Sequence, residues 1–217
     1  MTAATKLILV GGGGTSADVL TIVAAINTIA YRYEILGLVD DALPAGSFRW
    51  GVPVLGGLGN SVDTDVTFVD CLGSPRNFRG RETLYGKLGF DPGRFETLVH
   101  PAAIVSSDAR IGAGSILYPG TVVLSGVEIG AHVTILAGCV LNHEVQVGDW
   151  SILASGALLS GTVCVGRSCY IGVGSSVREG TAIGDGALVA MGSVVTRDVE
   201  PGETVGGVPA RPLRSQV

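Results

Sequence analysis

Val99, Val105, Ile111, Leu117, Val123, Ile129, Ile135, Leu141, Val147, Leu153, Leu159, Val165, Ile171, Val177, Ile183, Val189 and Val195 stand six residues apart, and every one is aliphatic. Ile, Leu and Val make up somewhat under a third of the chain, so this run arises by chance roughly once in 10⁹ registers. A second set, two residues before each stop, is small or β-branched from Ala103 through Ser115, Val133, Cys139 and Cys169 to Ser193. A third signal has the longer period: Ile111-Gly112, Ile129-Gly130, Val147-Gly148, Val165-Gly166 and Ile183-Gly184 recur every 18 residues.

This pattern predicts a solenoid. A period of six gives short flat segments with one large apolar side chain pointing inward, and three flats close a triangular coil. Stacked at strand spacing, about 4.8 Å, each coil buries the apolar face of the next. An α-helix is excluded, because residues six apart lie about 240° around its axis. The glycine once per coil is expected at a corner where the backbone takes unusual torsions. The pattern is silent on handedness.

Working outward, the 217-residue chain has room for this solenoid and one small domain. Its 34 glycines and few aromatics suit a thin β-helical core. A net charge of −5 and the lack of a Lys/Arg run argue against a nucleic-acid partner. The N-terminus, Met1-Thr2-Ala3-Ala4-Thr5-Lys6, leads straight into an apolar strand, without signal-peptide architecture or a membrane span. The four cysteines, Cys71, Cys139, Cys164 and Cys169, form no CxxC pair and read as free thiols. A reduced, cytoplasmic protein is expected.

Before the solenoid, Lys6 to Val10 reads as a buried strand ending in Gly11-Gly12-Gly13-Gly14. An apolar-periodic helix follows over about 17–30, with Thr15 or Ser16 as N-cap. Tyr33 to Val39 is a second strand, ending in Asp40-Asp41. This β–Gly loop–α–β unit suits phosphate at the loop and ribose or base at the acids. The dinucleotide fingerprint is incomplete, because Ser16 stands where its third glycine belongs. A third strand runs from Thr67 to Leu72 and ends at Gly73-Ser74, with a helix expected over 77–88. Three or so parallel strands suffice for a mononucleotide. After Val195 the next stop is Pro201, which ends the repeat, and the tail through Pro209-Ala210-Arg211-Pro212 reads as irregular.

Of the three histidines, His100 precedes Pro101 at the domain junction and reads as structural. His132 and His143 fall between inward stops and are expected to face solvent. Glu144 follows His143, and a carboxylate beside an imidazole fixes its tautomer and raises its basicity, as a general base requires. A trimeric zinc enzyme on a similar helix would need three histidine ligands; separations of 32 and 11 residues do not suit one.

Several stretches resemble one family in the right order: the Gly11–Gly14 loop, Ile35-Leu36-Gly37-Leu38-Val39 running into Asp40-Asp41, and Gly51-Val52-Pro53-Val54-Leu55-Gly56. So do Val99-His100-Pro101-Ala102-Ala103, Leu141-Asn142-His143-Glu144 and Gly207-Val208-Pro209-Ala210-Arg211. Together they resemble the nucleotide-sugar N-acetyltransferases of bacterial surface-glycan (bacillosamine- and perosamine-type) pathways, relatives of sialic-acid O-acetyltransferases. The resemblance implies a Rossmann-like α/β domain over 1–97, a left-handed parallel β-helix over 98–200, and a tail over 201–217 closing an acetyl-CoA groove. It implies a homotrimer with sites between subunits, and no metal.

Position by position, His143 matches the family's general base and Glu144 its acidic partner. Gly13, Gly14, Asp40, Asp41 and Gly73 match positions that hold the nucleotide-sugar. Gly161 matches a backbone N–H that meets the thioester carbonyl, an oxyanion-type contact. Val173 and Met191, one coil apart, fall on the acetyl-CoA groove. Two positions depart from the family: Thr15 and Ile152 replace histidines, the first near the sugar and the second near the CoA sulfur. The resemblance leaves O-acetylation, and a non-catalytic nucleotide-sugar-binding protein, as alternatives.

Overall fold

The computed structural model describes residues 4–59 and 65–213, so the first three residues and the last four fall outside the description. From Leu98 to Val195 the chain is a triangular parallel β-helix of two-residue strands, paired in register with strands 18 residues away. In each strand the second residue points inward and the first outward. Every stop from Leu117 to Val195 is buried in one continuous core. Val99, Val105 and Ile111 are only partly buried, because the first coil has no coil beneath it.

From Ser115 onward the inner small-residue ring is likewise buried, and its serine hydroxyls are hydrogen-bonded. Ser151 Oγ donates to the Gly166 carbonyl at 2.8 Å and accepts from the Cys169 N–H at 3.0 Å. The recurrent glycines are needed for a reason other than torsion. Gly112, Gly130, Gly148, Gly166 and Gly184 are not in the left-handed region; a Cβ on Gly112 would sit 2.5 Å from Ala131 N in the next coil. The left-handed corner falls two residues later, at Gly114, His132, Trp150, Ser168 and Gly186.

The three outer faces differ. One carries Ile104, Val122, Val140, Leu158, Ser176 and Val194, and Ile104, Leu158 and Val194 are 65, 44 and 36 % exposed. We call this the apolar face. The polar face carries Arg110, Glu128, Gln146, Cys164 and Ala182. The covered face carries Leu98, Ile116, Thr134 and Ile152, all buried under the N-terminal domain.

That domain is a five-stranded mixed sheet. Strands β1 (Thr5–Val10), β2 (Tyr33–Val39), β4 (Val52–Gly56) and β5 (Thr67–Asp70) are parallel, and β3 (Phe48–Arg49) pairs antiparallel with β4. The order is β3-β4-β2-β1-β5. β4 is a fourth parallel strand beyond the expected three; Pro53 within this short run masks the strand signal. Helix α1 (Gly14–Ile29) begins earlier than expected, with Gly13 as N-cap. Ser16 lies inside the helix instead of capping it, and its hydroxyl donates back to the Gly11 carbonyl. The second helical region starts as a single 3₁₀ turn, Phe78–Gly80, before α2 (Arg81–Lys87).

The tail is ordered rather than irregular. Thr204–Gly207 adds to the covered face's sheet beside Leu188–Val189, then turns through a cis Val208–Pro209 bond into an antiparallel strand, Ala210–Pro212. Val199, Val205 and Ala210 close the far end of the solenoid core. No helix among the described residues is long and apolar enough to cross a membrane.

Candidate active site

His143 lies at the turn leading from the apolar to the polar face, in the coil below Gly161. Its side chain is 56 % exposed, and Nδ1 stands 3.3 Å from Glu144 Oε2. Glu144 adopts a left-handed backbone, φ 58°, which swings its carboxylate beside the ring. The Cε1 and Nε2 edge of the imidazole occupies the space that a Cβ on Gly161 would fill. Among the described residues, His143 Nε2 and the Gly161 N–H have no hydrogen-bond partner. The site therefore juxtaposes a proton acceptor, oriented from its far side, with an unused backbone donor.

Val173 and Met191 form a second locus at the turn from the covered to the apolar face. They stack one coil apart, with the Gly192 N–H donating to the Val173 carbonyl at 2.8 Å, and both side chains are exposed. Ser155, Ala137 and Pro119 continue this column down the helix. His143 and Val173 thus stand on opposite edges of the apolar face.

The third locus is the N-terminal glycine loop. Gly13 and Gly14 are exposed, with open space where a Cβ would go, and the N–H groups of Gly14 and Thr15 begin α1 without intrahelical acceptors. Asp40 holds the loop to β2: Oδ2 accepts from the Gly12 N–H at 2.7 Å and Oδ1 from the Ala42 N–H at 2.8 Å. Asp41 Oδ1 accepts from the Leu58 N–H at 2.8 Å. Thr15, Gly73 and Ile152 meet around a cavity of about 140 Å³, shared with Thr134 and Tyr170. Ile152 packs so tightly that its Cδ1 would lie 2.7 Å from a Cβ on Gly73, whose φ is 146°.

His132 does not face solvent. It points out of the solenoid, but the N-terminal domain covers that surface and leaves it 2 % exposed. Its ring stacks on Trp150 with centroids 3.8 Å apart and planes 5° from parallel. Beside it, the buried Asp70 at the end of β5 accepts from Tyr85 Oη at 2.6 Å and Arg81 Nη2 at 2.5 Å. Arg81 also donates to the carbonyls of Trp150 and His132, tying the sheet to two coils. Sequence reasoning passed over Asp70, Arg81, Tyr85 and Trp150 as site-supporting residues. The available signal was an aspartate inside the apolar strand Thr67-Phe68-Val69-Asp70-Cys71-Leu72. Among the described residues, no three His, Cys, Asp or Glu side chains converge on a metal position.

The bacterial transferase hexapeptide (six repeats) family matches residues 126–161, and the hexapeptide repeat of succinyl-transferase matches 162–197. The acetyltransferase domain of PglB from Neisseria gonorrhoeae, solved with acetyl coenzyme A, is 31 % identical, with 97 % of this chain and 100 % of that one aligned at a TM-score of 0.83. This chain belongs to the same family of hexapeptide-repeat acetyltransferases. Its solenoid is the left-handed β-helix of that family.

Two further members extend the comparison. A variant of perosamine N-acetyltransferase from Caulobacter crescentus, in complex with CoA and GDP-perosamine, is 28 % identical at a TM-score of 0.84, covering 98 % of this chain and 99 % of that one. WeeI from Acinetobacter baumannii is 26 % identical at 0.82, covering 97 and 100 %. A search of curated protein sequences returns no match. The resemblance drawn from the sequence motifs is thereby shown at the level of the family and of acetyl transfer.

Proposed function

We propose that this acetyltransferase moves the acetyl group of acetyl-CoA to the amine of a nucleotide-linked amino-deoxy sugar, by direct transfer. The observation that carries this reading is the His143 imidazole lying over Gly161 with Glu144 at its Nδ1. Glu144 keeps the proton on Nδ1, so Nε2 is the base. His143 Nε2 takes the proton as the amine nitrogen bonds to the acetyl carbon. The Gly161 N–H receives the carbonyl oxygen as its charge grows. The C–S bond then breaks, and the proton passes from His143 to the departing thiolate.

The exposed apolar pair Val173 and Met191 suits the acyl end of acetyl-CoA. We assign nucleotide-sugar binding to residues 1–97, through Gly13, Gly14, Thr15, Asp40, Asp41 and Gly73, and transfer to 98–200. Residues 201–213 close the cofactor groove, and the rest of the 201–217 tail lies outside the described residues. Ile152 we assign to the cofactor side, beside the CoA sulfur, where it packs against Gly73 of the sugar-binding set. Four free cysteines fit a cytoplasmic enzyme.

The base and the Val173–Met191 groove occupy opposite edges of one apolar face. A homotrimer built on that face would bring the His143 edge of one chain to the groove edge of its neighbour, giving sites between subunits and covering Ile104, Leu158 and Val194.

The test is acetyl-CoA-dependent CoA release with UDP-, GDP- and dTDP-linked amino sugars, with products read by mass spectrometry. One acetyl gained on the amine of a single acceptor, and a loss of about 10²-fold or more in His143→Ala, is expected. Full kcat in His143→Ala would overturn the mechanism. Transfer only to hydroxyl acceptors would overturn the choice of amine.

A further inference from the structure

The turn joining β3 to β4 has two central residues, Trp50 and Gly51, both at positive φ, 55° and 81°. Such turns favour Asn, Asp or Gly at these positions, and a bulky aromatic there is strained. Strain of this kind persists where the surroundings hold it in place and function uses it. Here the surroundings are the glycine loop itself. Trp50 Nε1 donates to the carbonyls of Gly12 and Gly13, at 3.1 Å each. Arg49 lies against the indole, its guanidinium carbon 4.1 Å from the ring centroid, and its Nε reaches the Gly12 carbonyl at 3.4 Å.

The indole is therefore fixed in orientation by its polar edge and backed by a cation, yet 44 % of the residue is exposed. A side chain serving only to pack would be expected to bury this ring. A large aromatic plate, immobilised beside open glycine N–H groups, matches the chemistry of a nucleobase attached to a diphosphate: the base stacks and the phosphates meet backbone donors.

We propose that Trp50 is the stacking surface for the base of the nucleotide-linked sugar, with Arg49 across its opposite face. This rests on the nucleotide-sugar reading above and adds the residue that holds the base. Stacking tolerates any base, so Trp50 sets affinity for the nucleotide moiety, while the choice among bases falls to hydrogen-bonding neighbours.

The chain has two tryptophans, and Trp150 is buried against His132, which gives a direct test. The full chain is titrated with UDP, GDP and dTDP, following tryptophan emission and, in parallel, heat of binding. The wild type should show quenching by at least one nucleotide, and Trp50→Phe should bind that nucleotide without quenching. Trp50→Ala should bind it about tenfold more weakly or worse, with Trp50→Phe keeping most of the affinity. The phenylalanine arm separates stacking from anchoring, because Phe keeps a π-face but loses the Nε1 contacts to Gly12 and Gly13. Trp50→Phe as weak as Trp50→Ala, or Trp50→Ala within twofold of wild type, overturns the stacking role while nucleotide binding stands. No heat of binding from any nucleotide in the wild type overturns the nucleotide-sugar reading and this proposal together.

Discussion

The imidazole of His143 fills the space above Gly161 that any side chain at 161 would need. Glycine is required there by proximity to the imidazole in the coil below. In Gly161→Ala the methyl group must displace the ring, and because His143 is more than half exposed it can swing into solvent without disturbing the core. Expected is a loss of kcat of about 10²-fold with the melting temperature unchanged. Steady-state kinetics beside thermal denaturation checks both.

In the proposed mechanism Glu144 acts through His143, so its removal should cost less than removal of the base. Glu144→Gln keeps an acceptor for Nδ1–H but loses the carboxylate charge that would stabilise the imidazolium formed during transfer. A fall in kcat of about tenfold is expected, against about 10²-fold or more for His143→Ala. The double variant should be no worse than His143→Ala alone, because the two groups act as one unit. A double variant much slower than His143→Ala would show that Glu144 has a separate role.

Arg81 and Asp70 are both buried, and each is the other's charge partner. Arg81→Ala leaves a lone carboxylate between the two domains and should cost about 3–5 kcal/mol. The same pair sets an acid limit. Burial pushes the Asp70 carboxyl up, but the Arg81 guanidinium and the Tyr85 hydroxyl outweigh it and hold the group below its ordinary 3.8. A carboxyl with a folded-state pKa below its unfolded value stabilises fully above the unfolded value. That contribution is lost as pH falls through the lower folded one. Melting temperature should therefore drop as pH falls below about 4, and the drop should be shallower in Asp70→Asn. An equally steep drop in that variant would assign acid sensitivity elsewhere.

Thiol reactivity should single out one cysteine. Burial pushes Cys139 and Cys169 up to about 11 and Cys71 higher still, whereas Cys164 is exposed on the polar face. The native protein at about pH 8 should take up one iodoacetamide, on Cys164, and four after denaturation. Intact mass and peptide mapping give the count and the site.

A charge on the apolar face tests the proposed assembly. Leu158→Asp places a carboxylate at the centre of that face and should convert three-chain particles to single chains in sedimentation equilibrium. Activity should fall with it, because in the proposed assembly the base and the groove come from different chains. Retention of the wild-type mass with full activity would sink the intersubunit site.

Much of the solenoid could be read directly, because a period of six constrains every coil in the same way and repetition overcomes the weakness of two-residue strands. The seventeen stops point inward as their spacing required. The glycine ladder was found for the wrong reason: its cause is contact between coils, which depends on residues 18 positions away and has no local torsional signature. His132 departs from expectation for a related reason. Spacing gave its direction out of the helix, but only the docking of Tyr85 and Phe95 decides that this outside is an interior. In the candidate site, the adjacency of His143 and Glu144 was visible in sequence, and the contact with Gly161 follows from the coil length once the fold is known. Trp50 could not be singled out, since its importance lies in reaching the carbonyls of Gly12 and Gly13 from a different strand pair.

The C-terminal hairpin has a consequence for solubility. A stack of interchangeable coils ends in unpaired backbone edges and an open apolar cross-section, so two such ends could join and continue as a fibre. Here Thr204–Gly207 takes the last parallel register, and Ala210–Pro212 reverses direction beside it. The reversal presents an antiparallel edge carrying Pro212, and Val199, Val205 and Ala210 plug the cross-section. A second molecule arriving end-on meets neither the strand polarity nor the exposed core it would need, and the stack has a fixed length instead of growing by self-addition.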